Sequence, residues 1–236
     1  MPTFTVRHVD DLTDEDRTPG HWDVAVVIDV LRAFTVAPWV LRQGAHALYL
    51  APDAATALAA QTDDFPDALL IKDGRPDPRF DLPNAPGRIA ELDLTGRTVI
   101  QTTGNGTRGA HAVRHVPTVV CASFATAGAT ARLVAGAQRV LLVTTEGDED
   151  VAFADHLIAL VTSPAPPNPA PYLARVAAAP AGLECLARAH DPAHPGVHPD
   201  DLALAQQVDA FDHALIARPR GALLHVITHT HQEATP

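Results

Sequence analysis

One stretch of the chain combines glycines, hydroxyls, an amide and an arginine in a pattern suited to binding an anion. It spans residues 98–109 and reads TVIQTTGNGTRG. Gly104 and Gly106 can adopt the positive φ that lets successive backbone N–H groups point into one concavity. The groups expected to bind the anion are Thr102, Thr103, Asn105, Gly106, Thr107 and Arg108. A simple strand-to-helix corner is the alternative, but a corner needs neither the hydroxyls nor the arginine, so we favour an anion site.

An aspartate lies where a buried strand is predicted to end. Residues 24–30 form a nearly continuous β-branched run, which is typical of a strand covered on both faces. A buried unpaired carboxylate costs several kcal/mol, so we expect Asp29 to meet a cation, a metal or hydrogen-bond donors. Arg32 and Thr35 follow closely and could share this site. The alternative is that Asp29 caps the next helix or pairs with Arg32.

Two further segments carry polar side chains that could reach the predicted site around Asp29. Residues 72–92 contain four prolines and two glycines, which predicts an ordered surface loop without regular structure. Its polar candidates are Asp73, Asp77, Asp81 and Asn84. The acidic run at residues 146–150 ends in Glu149 and Asp150, ahead of a predicted helix. Carboxylates in a first helical turn also complement the helix dipole, which is the alternative explanation for that run.

Alternating strands and helices would position these groups. Strands are predicted at residues 24–30, 47–50, 68–71, 98–103, 118–124 and 139–145. Helices are predicted at 37–43, 53–61, 108–115, 125–135, 151–160, 172–189 and 200–211. This pattern predicts a three-layer α/β/α fold with a mostly parallel central sheet and a ligand site at the carboxyl ends of the strands.

The ends of the chain and its proline-rich stretch complete the predicted organisation. Two apolar runs around residues 219–221 predict a short C-terminal hairpin or a pair of edge strands. The acidic residues within 1–22 predict a solvated face or turn. Residues 164–171 predict a rigid connector inside a single domain that spans residues 1–236. His225, His229 and His231 have strand spacing, and we interpret them as solvated tail histidines rather than metal ligands.

Composition excludes several classes of function. The net charge of −11, without any basic stripe, argues against a nucleic-acid partner. No apolar run is long enough to cross a membrane, and the acidic N-terminus does not resemble a secretion signal. Cys121 and Cys185 are too few for a disulfide framework. Together these features predict a cytoplasmic protein, and they leave a homo-oligomer open. The phosphate-binding GxxxxGK[ST] motif is absent from the sequence.

Five motifs, in order along the chain, resemble those of the 2-phosphosulfolactate phosphatase family. They are IDVLRAFT at 28–35, FDLPNAP at 80–86, VIQTTGNGTRG at 99–109, EDV at 149–151 and QVDAFDHALIARPRG at 207–221. The resemblance implies a magnesium-dependent phosphatase with a three-layer α/β/α fold. Its substrate would be a small phosphorylated and sulfonated acid, 2-phospho-3-sulfolactate, and the reaction would be a step of the coenzyme M route.

The residues themselves support metal-assisted hydrolysis of a phosphate ester. Such an ester needs charge neutralisation of its oxygens, which Mg²⁺ held by carboxylates provides. The predicted catalytic residues are Asp29, Arg32 and Asp81. The predicted Mg²⁺ ligands are Asp29, Asp81, Glu149 and Asp150. The predicted substrate-binding residues are Thr35, Asn84, Thr102, Thr103, Asn105, Gly106, Thr107 and Arg108, with Arg32 and Arg108 as anion clamps.

The sequence departs from the family pattern at three places. Gly104 stands where we expect a threonine, Ala85 replaces a serine, and residues 72–76 are shorter than the family's acidic, glycine-rich approach. These departures bear on the substrate more than on the fold. They keep two alternative hypotheses open: a non-catalytic anion-binding homologue, and a different α/β enzyme that acts on an anionic metabolite.

Overall fold

A single ten-stranded sheet forms the middle layer of the described chain. The computed structural model describes residues 1–191 and 193–230. In chain order the strands are β1 (Thr3–His8), β2 (Val24–Ile28), β3 (Ala47–Leu50), β4 (Leu69–Lys72), β5 (Leu82–Pro83), β6 (Thr98–Thr102), β7 (Thr118–Ala122), β8 (Arg139–Thr144), β9 (Ala214–Arg220) and β10 (Leu223–His229). Their order across the sheet is β1-β8-β2-β7-β9-β10-β3-β6-β4-β5.

The C-terminal hairpin divides the sheet into two parallel halves. Strands β1, β8, β2 and β7 pair in parallel on one side, and β3, β6, β4 and β5 do so on the other. The three pairings through β9 and β10 are antiparallel, so the two halves run in opposite senses along the sheet. Ordinary strand twist accumulates to about 100–125° over the five pairings between β2 and β6, so both carboxyl ends can still face one cavity.

Helices cover both faces of the sheet. In chain order they are α1 (Ala33–Arg42), α2 (Ala54–Asp63), α3 (Pro86–Ala90), α4 (Gly106–Ala112), α5 (Ala127–Val134), α6 (Asp148–Thr162), α7 (Ala170–Ala178), α8 (Pro180–Arg188) and α9 (Asp201–Ala205). Alternate residues of β2 enter different cores: Ala25 and Val27 pack with α1 and α4, whereas Val26 and Ile28 pack with α5 and α6. This two-sided burial confirms the predicted three-layer α/β fold with a mostly parallel sheet.

The structure decides between the two predicted forms of the C-terminal segment. It is a hairpin, and it lies in the middle of the sheet rather than at an edge, because β9 pairs with β7 and β10 pairs with β3. His225 is therefore not a solvated tail residue; its ring lies 4.9 Å from that of Tyr49. His231 falls outside the described residues.

Several predicted element boundaries were wrong. The edge strand β1 was missed, since its half-exposed, charged sequence resembles a loop. Helix α1 begins at Ala33, four residues early, and the segment 72–92 contains β5 and α3. The helix predicted over 172–189 is two helices separated at Ala179, because α8 begins at Pro180, and the helix predicted over 200–211 is only the short α9.

Two further observations bear on the class of protein. No helix within the described residues is both long and apolar enough to cross a bilayer. Cys121 and Cys185 are buried free thiols. Burial and the nearby Asp29 carboxylate raise the pKa of the Cys121 thiol above its ordinary range, so this side chain behaves as a small apolar core residue.

Candidate active site

A cavity of about 160 Å³ opens where β2, β4, β6 and β8 end. Asp29, Asp73 and Thr103 each follow their strand directly, and Glu146 follows β8 by two residues. We call this the acidic cavity, because four carboxylates and one arginine line it. The complete lining is Asp29, Leu31, Arg32, Asp73, Asn84, Thr103, Asn105, Glu146, Ala181, Glu184, Cys185 and Val197.

Asp29 is a buried carboxylate held by backbone donors at the start of two helices. Its Oδ1 accepts a hydrogen bond from Ala33 N at 2.8 Å, so the helix-capping alternative describes part of its role. Burial, together with the charges of Glu146 and Asp73, raises the pKa of Asp29 to about 7, against the lowering effect of the N–H groups of Ala33 and Gly106. Such a group exchanges its proton near neutral pH.

Asp150 is buried near Asp29 and accepts hydrogen bonds from the two loops that follow β2 and β8. Its Oδ1 accepts from Val30 N at 2.9 Å, and its Oδ2 accepts from Thr145 N at 2.9 Å and Glu146 N at 3.0 Å. Burial and the repulsion by Asp29 raise its pKa. Since backbone donors occupy both oxygens, the structure gives this predicted metal ligand a positioning role: it fixes the loop that presents Glu146.

Two carboxylates and an amide complete the polar wall. Asp73 accepts from Gly104 N at 2.9 Å, and Glu146 accepts from the Asn105 amide at 3.1 Å. Burial, followed by Glu149, raises the pKa of Glu146. On the opposite wall, the Gln101 amide donates to Ala33 O at 3.0 Å and to Asn84 Oδ1 at 2.8 Å, which fixes the orientation of Asn84.

The predicted backbone cradle of the 103–107 loop is already hydrogen-bonded within the chain. Thr103 N donates to Thr107 Oγ1 at 2.8 Å, and Thr107 N donates to Thr103 Oγ1 at 3.0 Å. Because Gly104 N donates to Asp73, these three N–H groups do not face an anion. The correction is that the loop supplies the side chains of Thr103 and Asn105 to the cavity rather than a nest of free amides.

Arg32 lines the acidic cavity but does not pair with Asp29. Its Nη1 donates to Asp201 Oδ2 at 2.5 Å and to Gly196 O at 2.8 Å. Asp201 is completely buried and also accepts from Gly87 N at 3.0 Å and His198 N at 2.9 Å. The alternative in which Asp29 pairs with Arg32 is therefore wrong, and Asp201 holds Arg32 at the cavity wall.

Several predicted site residues lie outside the acidic cavity. Asp81 accepts from Leu70 N at 2.8 Å and lines a separate cleft, so it is not placed beside Asp29. The Thr35 hydroxyl donates to Val30 O at 2.8 Å inside α1, and Thr102 is buried in β6. Glu149 is buried, and its Oε1 accepts from Gly147 N at 3.2 Å.

Arg108 is turned away from the acidic cavity. Its Nη1 donates to Asp10 Oδ1 at 2.8 Å, and its Nε donates to Gly104 O at 2.9 Å. Asp10 therefore balances the charge of the Arg108 guanidinium. The hydrogen bond from Arg108 to Gly104 O stabilises the 103–107 loop. The structure does not place Arg108 as an anion clamp of this cavity.

Four residues of the site or its support were missing from the predicted catalytic, metal-binding and substrate-binding residues, although Asp73 was a polar candidate of its loop and Glu146 belongs to the acidic run at residues 146–150. Asp73 and Glu146 had a signal in the sequence, since each closely follows a strand, as Asp29 does. Glu184 on α8 and Asp201 on α9 had none, because only the tertiary fold brings these late helices to the strand ends.

Gly106 is the one residue of the loop for which the lack of a side chain is a packing requirement. A Cβ at this position would lie 2.6 Å from Asp29 Oδ2 and 2.7 Å from the Cβ of Ala33. We expect Gly106→Ala to displace Asp29, lowering both turnover and melting temperature, because overpacking costs about 1–3 kcal/mol. Gly136→Ala is the control, since a Cβ there meets nothing within 4 Å; equal behaviour of the two variants would contradict this packing argument.

No side-chain cation of the described residues forms an ion pair with Asp29, Asp73 or Glu146, which face one space. Arg32 lines the same cavity but is held by Asp201. Oxygen donors of this kind suit a hard divalent cation such as Mg²⁺. Within residues 1–191 and 193–230, no three His, Cys, Asp or Glu side chains are close enough to hold a metal ion, so the predicted ligand set is not assembled.

Comparison with known proteins agrees with the resemblance seen in the motifs. The family model for 2-phosphosulpholactate phosphatase matches residues 8–166, which is more than half of the chain. That segment contains Asp29, Asp73, Asn84, the 103–107 loop and Glu146, but not Glu184 or Asp201.

Three curated relatives carry the name "Probable 2-phosphosulfolactate phosphatase". The Thermus thermophilus protein is 43% identical over 112 residues, covering 47% of each chain. The Deinococcus radiodurans protein is 40% identical over 138 residues, covering 56% of this chain and 57% of its own. The Bacillus subtilis protein is 33% identical over 147 residues, covering 59% of this chain and 64% of its own. The matched part therefore spans less than two thirds of each of these relatives.

Proposed function

This chain belongs to the 2-phosphosulfolactate phosphatase family, and from that membership we propose that it is a phosphoric monoester hydrolase with the acidic cavity as its active site. The substrate we propose is 2-phospho-3-sulfolactate, and the products are 3-sulfolactate and phosphate. The observation that carries the proposal is the convergence of Asp29, Asp73 and Glu146 on one cavity at the ends of β2, β4 and β8. A role in coenzyme M biosynthesis and a cytoplasmic location, which suits the two free cysteines, belong to the same proposal.

We further propose that Mg²⁺ is the cofactor. Burial raises the pKa values of Asp29 and Glu146, and the charges of neighbouring carboxylates raise them as well, so a divalent cation among these acids would offset the repulsion. Asp29, Asp73 and Glu146 are not close enough together to hold the ion jointly, so one or two of them would bind it, with water and the phosphoryl oxygens of the substrate as its other ligands. The side-chain oxygens of Asn84 and Asn105 lie within the same lining. When bound, the ion would neutralise the charge of the phosphoryl oxygens.

The residues of the chain then have separate tasks. The Asp29 carboxylate lines the acidic cavity, and the hydrogen bond from Ala33 N fixes its position. The Asn84 and Asn105 amides can orient the phosphoryl group, and Arg32 offers its remaining N–H groups from the wall. Hydrolysis breaks the bond between phosphorus and the ester oxygen, water supplies the new oxygen on phosphorus, and the ester oxygen leaves as the hydroxyl of the acid.

The experiment that tests this proposal measures phosphate release from 2-phospho-3-sulfolactate. We expect turnover with Mg²⁺ and its loss in EDTA, with recovery when Mg²⁺ is added back. Release that persists in EDTA would contradict the metal requirement and leave the phosphatase assignment standing. Binding of the ester without any release would instead support the non-catalytic, anion-binding alternative.

A further inference from the structure

A second cavity adjoins the acidic cavity and has the opposite charge. Its volume is about 540 Å³, and it shares Arg32, Asp73, Asn84, Glu184 and Val197 with the acidic cavity. Its further lining adds three cations, Lys72, Arg75 and Arg188, and the His194 ring, which contacts Asp191 at 2.8 Å. We call this the basic cavity.

Two of the cations in the basic cavity are not neutralised by an acid. Lys72 Nζ donates to the backbone oxygens of Asp73, at 2.7 Å, and Arg75, at 3.3 Å, and these acceptors carry no net charge. The Arg75 guanidinium makes no ion pair within residues 1–191 and 193–230. The other two are balanced, since Arg188 pairs with Glu184 and Arg32 pairs with Asp201.

We propose that the basic cavity binds a second anionic group of the substrate, a sulfonate or a carboxylate, while the phosphoryl group occupies the acidic cavity. The inference rests on the proposed function, because it takes Asp29 to mark the phosphoryl position. Two acid groups on neighbouring carbons of one small molecule require two adjoining sites, and Arg32 and Asn84 lie on the wall that these cavities share.

The charge of the whole protein makes such a local site necessary. With a net charge of −11, the chain repels an anion at long range, so attraction must come from cations near the binding position. Lys72 and Arg75 meet this need because no acid of the described chain holds them. They would make the enzyme select phosphate esters that carry a second acid group over those that do not.

The test compares three esters: 2-phospho-3-sulfolactate, 2-phospholactate, which carries only the carboxylate, and phenyl phosphate, which carries neither group. We expect Arg75→Gln to lower kcat/KM for the sulfolactate ester, relative to phenyl phosphate, about tenfold through KM. If 2-phospholactate is affected equally, the bound group is the carboxylate; if it is not, the bound group is the sulfonate. An equal loss for phenyl phosphate, or no loss at all, would overturn the proposal.

Arg79→Gln is the matched control. Arg79 lies four residues further along the same loop, is exposed, pairs with Asp77 at 2.6 Å and lines neither cavity. Its loss should leave the selectivity between the three esters unchanged. A change equal to that of Arg75→Gln would show a general effect of charge and would overturn the assignment to the basic cavity.

A binding measurement separates failure of this inference from failure of the proposed function. Titration calorimetry with 3-sulfolactate needs no hydrolysis. We expect the unaltered protein to bind it and Arg75→Gln to bind it about tenfold more weakly. That result supports the basic cavity even if none of the esters is hydrolysed. Absence of binding to the unaltered protein would overturn the basic cavity even if phosphate release is observed.

Discussion

Asp29→Asn is expected to abolish turnover and, in metal-free protein at pH 8, to raise the melting temperature. The amide has the same shape and can still accept from Ala33 N, but it removes the carboxylate on which the active-site proposal depends. We expect kcat to fall on the order of 10²- to 10⁴-fold, the range for the loss of a group that acts directly on the reacting atoms. Steady-state phosphate release in the presence of Mg²⁺ measures this effect.

The stability gain follows from the raised pKa of Asp29. Its pKa of about 7 lies above the ordinary value of 3.8, so the folded protein binds more protons than the unfolded chain between these two values. Stability therefore decreases as the pH rises through that interval, and the full cost of the buried charge is present above pH 7. Asp29→Asn removes that cost, on the order of 4 kcal/mol, and its advantage should disappear as the pH falls towards 4. Thermal melts in EDTA across this pH range measure it.

Asp16→Asn is a matched control with the opposite sign. Asp16 is also buried, but it accepts from Thr13 N at 2.9 Å and Thr13 Oγ1 at 2.8 Å, and these donors, with Arg7, lower its pKa. Its substitution should lower stability and leave turnover intact. An Asp29→Asn protein that is less stable yet active would show that Asp29 only caps α1, and the proposed site would then lose its central residue.

The predictable part of the site consists of residues that directly follow buried strands. The run before Asp29 identifies a strand from its β-branched residues alone, and the glycines after β6 identify the loop that carries Thr103 and Asn105. Asp73 and Glu146 also lie just after strands. The prolines after Asp73 suggested an ordinary loop, however, and the acidic run after Glu146 could be explained by the helix dipole. Short-range sequence patterns therefore indicate most of the strand ends that line the acidic cavity.

The separation of Asp81 from Asn84 has a local cause. Asn84 and Asp81 belong to one motif, yet β5 lies between them in an extended conformation. Side chains three residues apart on an extended chain point to opposite sides, so only one of the two could face the cavity. Asn84 does, and Asp81 bonds Leu70 N instead.

The partners of the arginines could not be predicted from sequence spacing. Arg32 pairs with Asp201, 169 residues away, and Arg108 pairs with Asp10, 98 residues away. The position of the hairpin was equally hidden, because its apolar alternation is the same in the middle of a sheet as at an edge. These features depend on how distant elements meet, which local periodicity does not describe.

Asp201→Ala is expected to be among the most destabilising single substitutions in this chain. The completely buried carboxylate holds Arg32 and accepts from Gly87 N and His198 N, so its loss leaves a largely buried guanidinium and two backbone donors without their acceptor. Removing one partner of a buried ion pair lowers the free energy of unfolding by about 3–5 kcal/mol. For a chain of this size that corresponds to a fall in melting temperature of roughly 6–20 °C.

Two comparisons make the Asp201 prediction specific. Asp77→Ala breaks the exposed pair with Arg79 and should cost no more than about 1 kcal/mol. Asp201→Leu combined with Arg32→Leu removes both charges together, so it should recover part of the stability that Asp201→Ala loses. If Asp201→Ala melts no lower than Asp77→Ala, then Asp201 does not anchor Arg32, and the position of Arg32 between the acidic and basic cavities must have another cause.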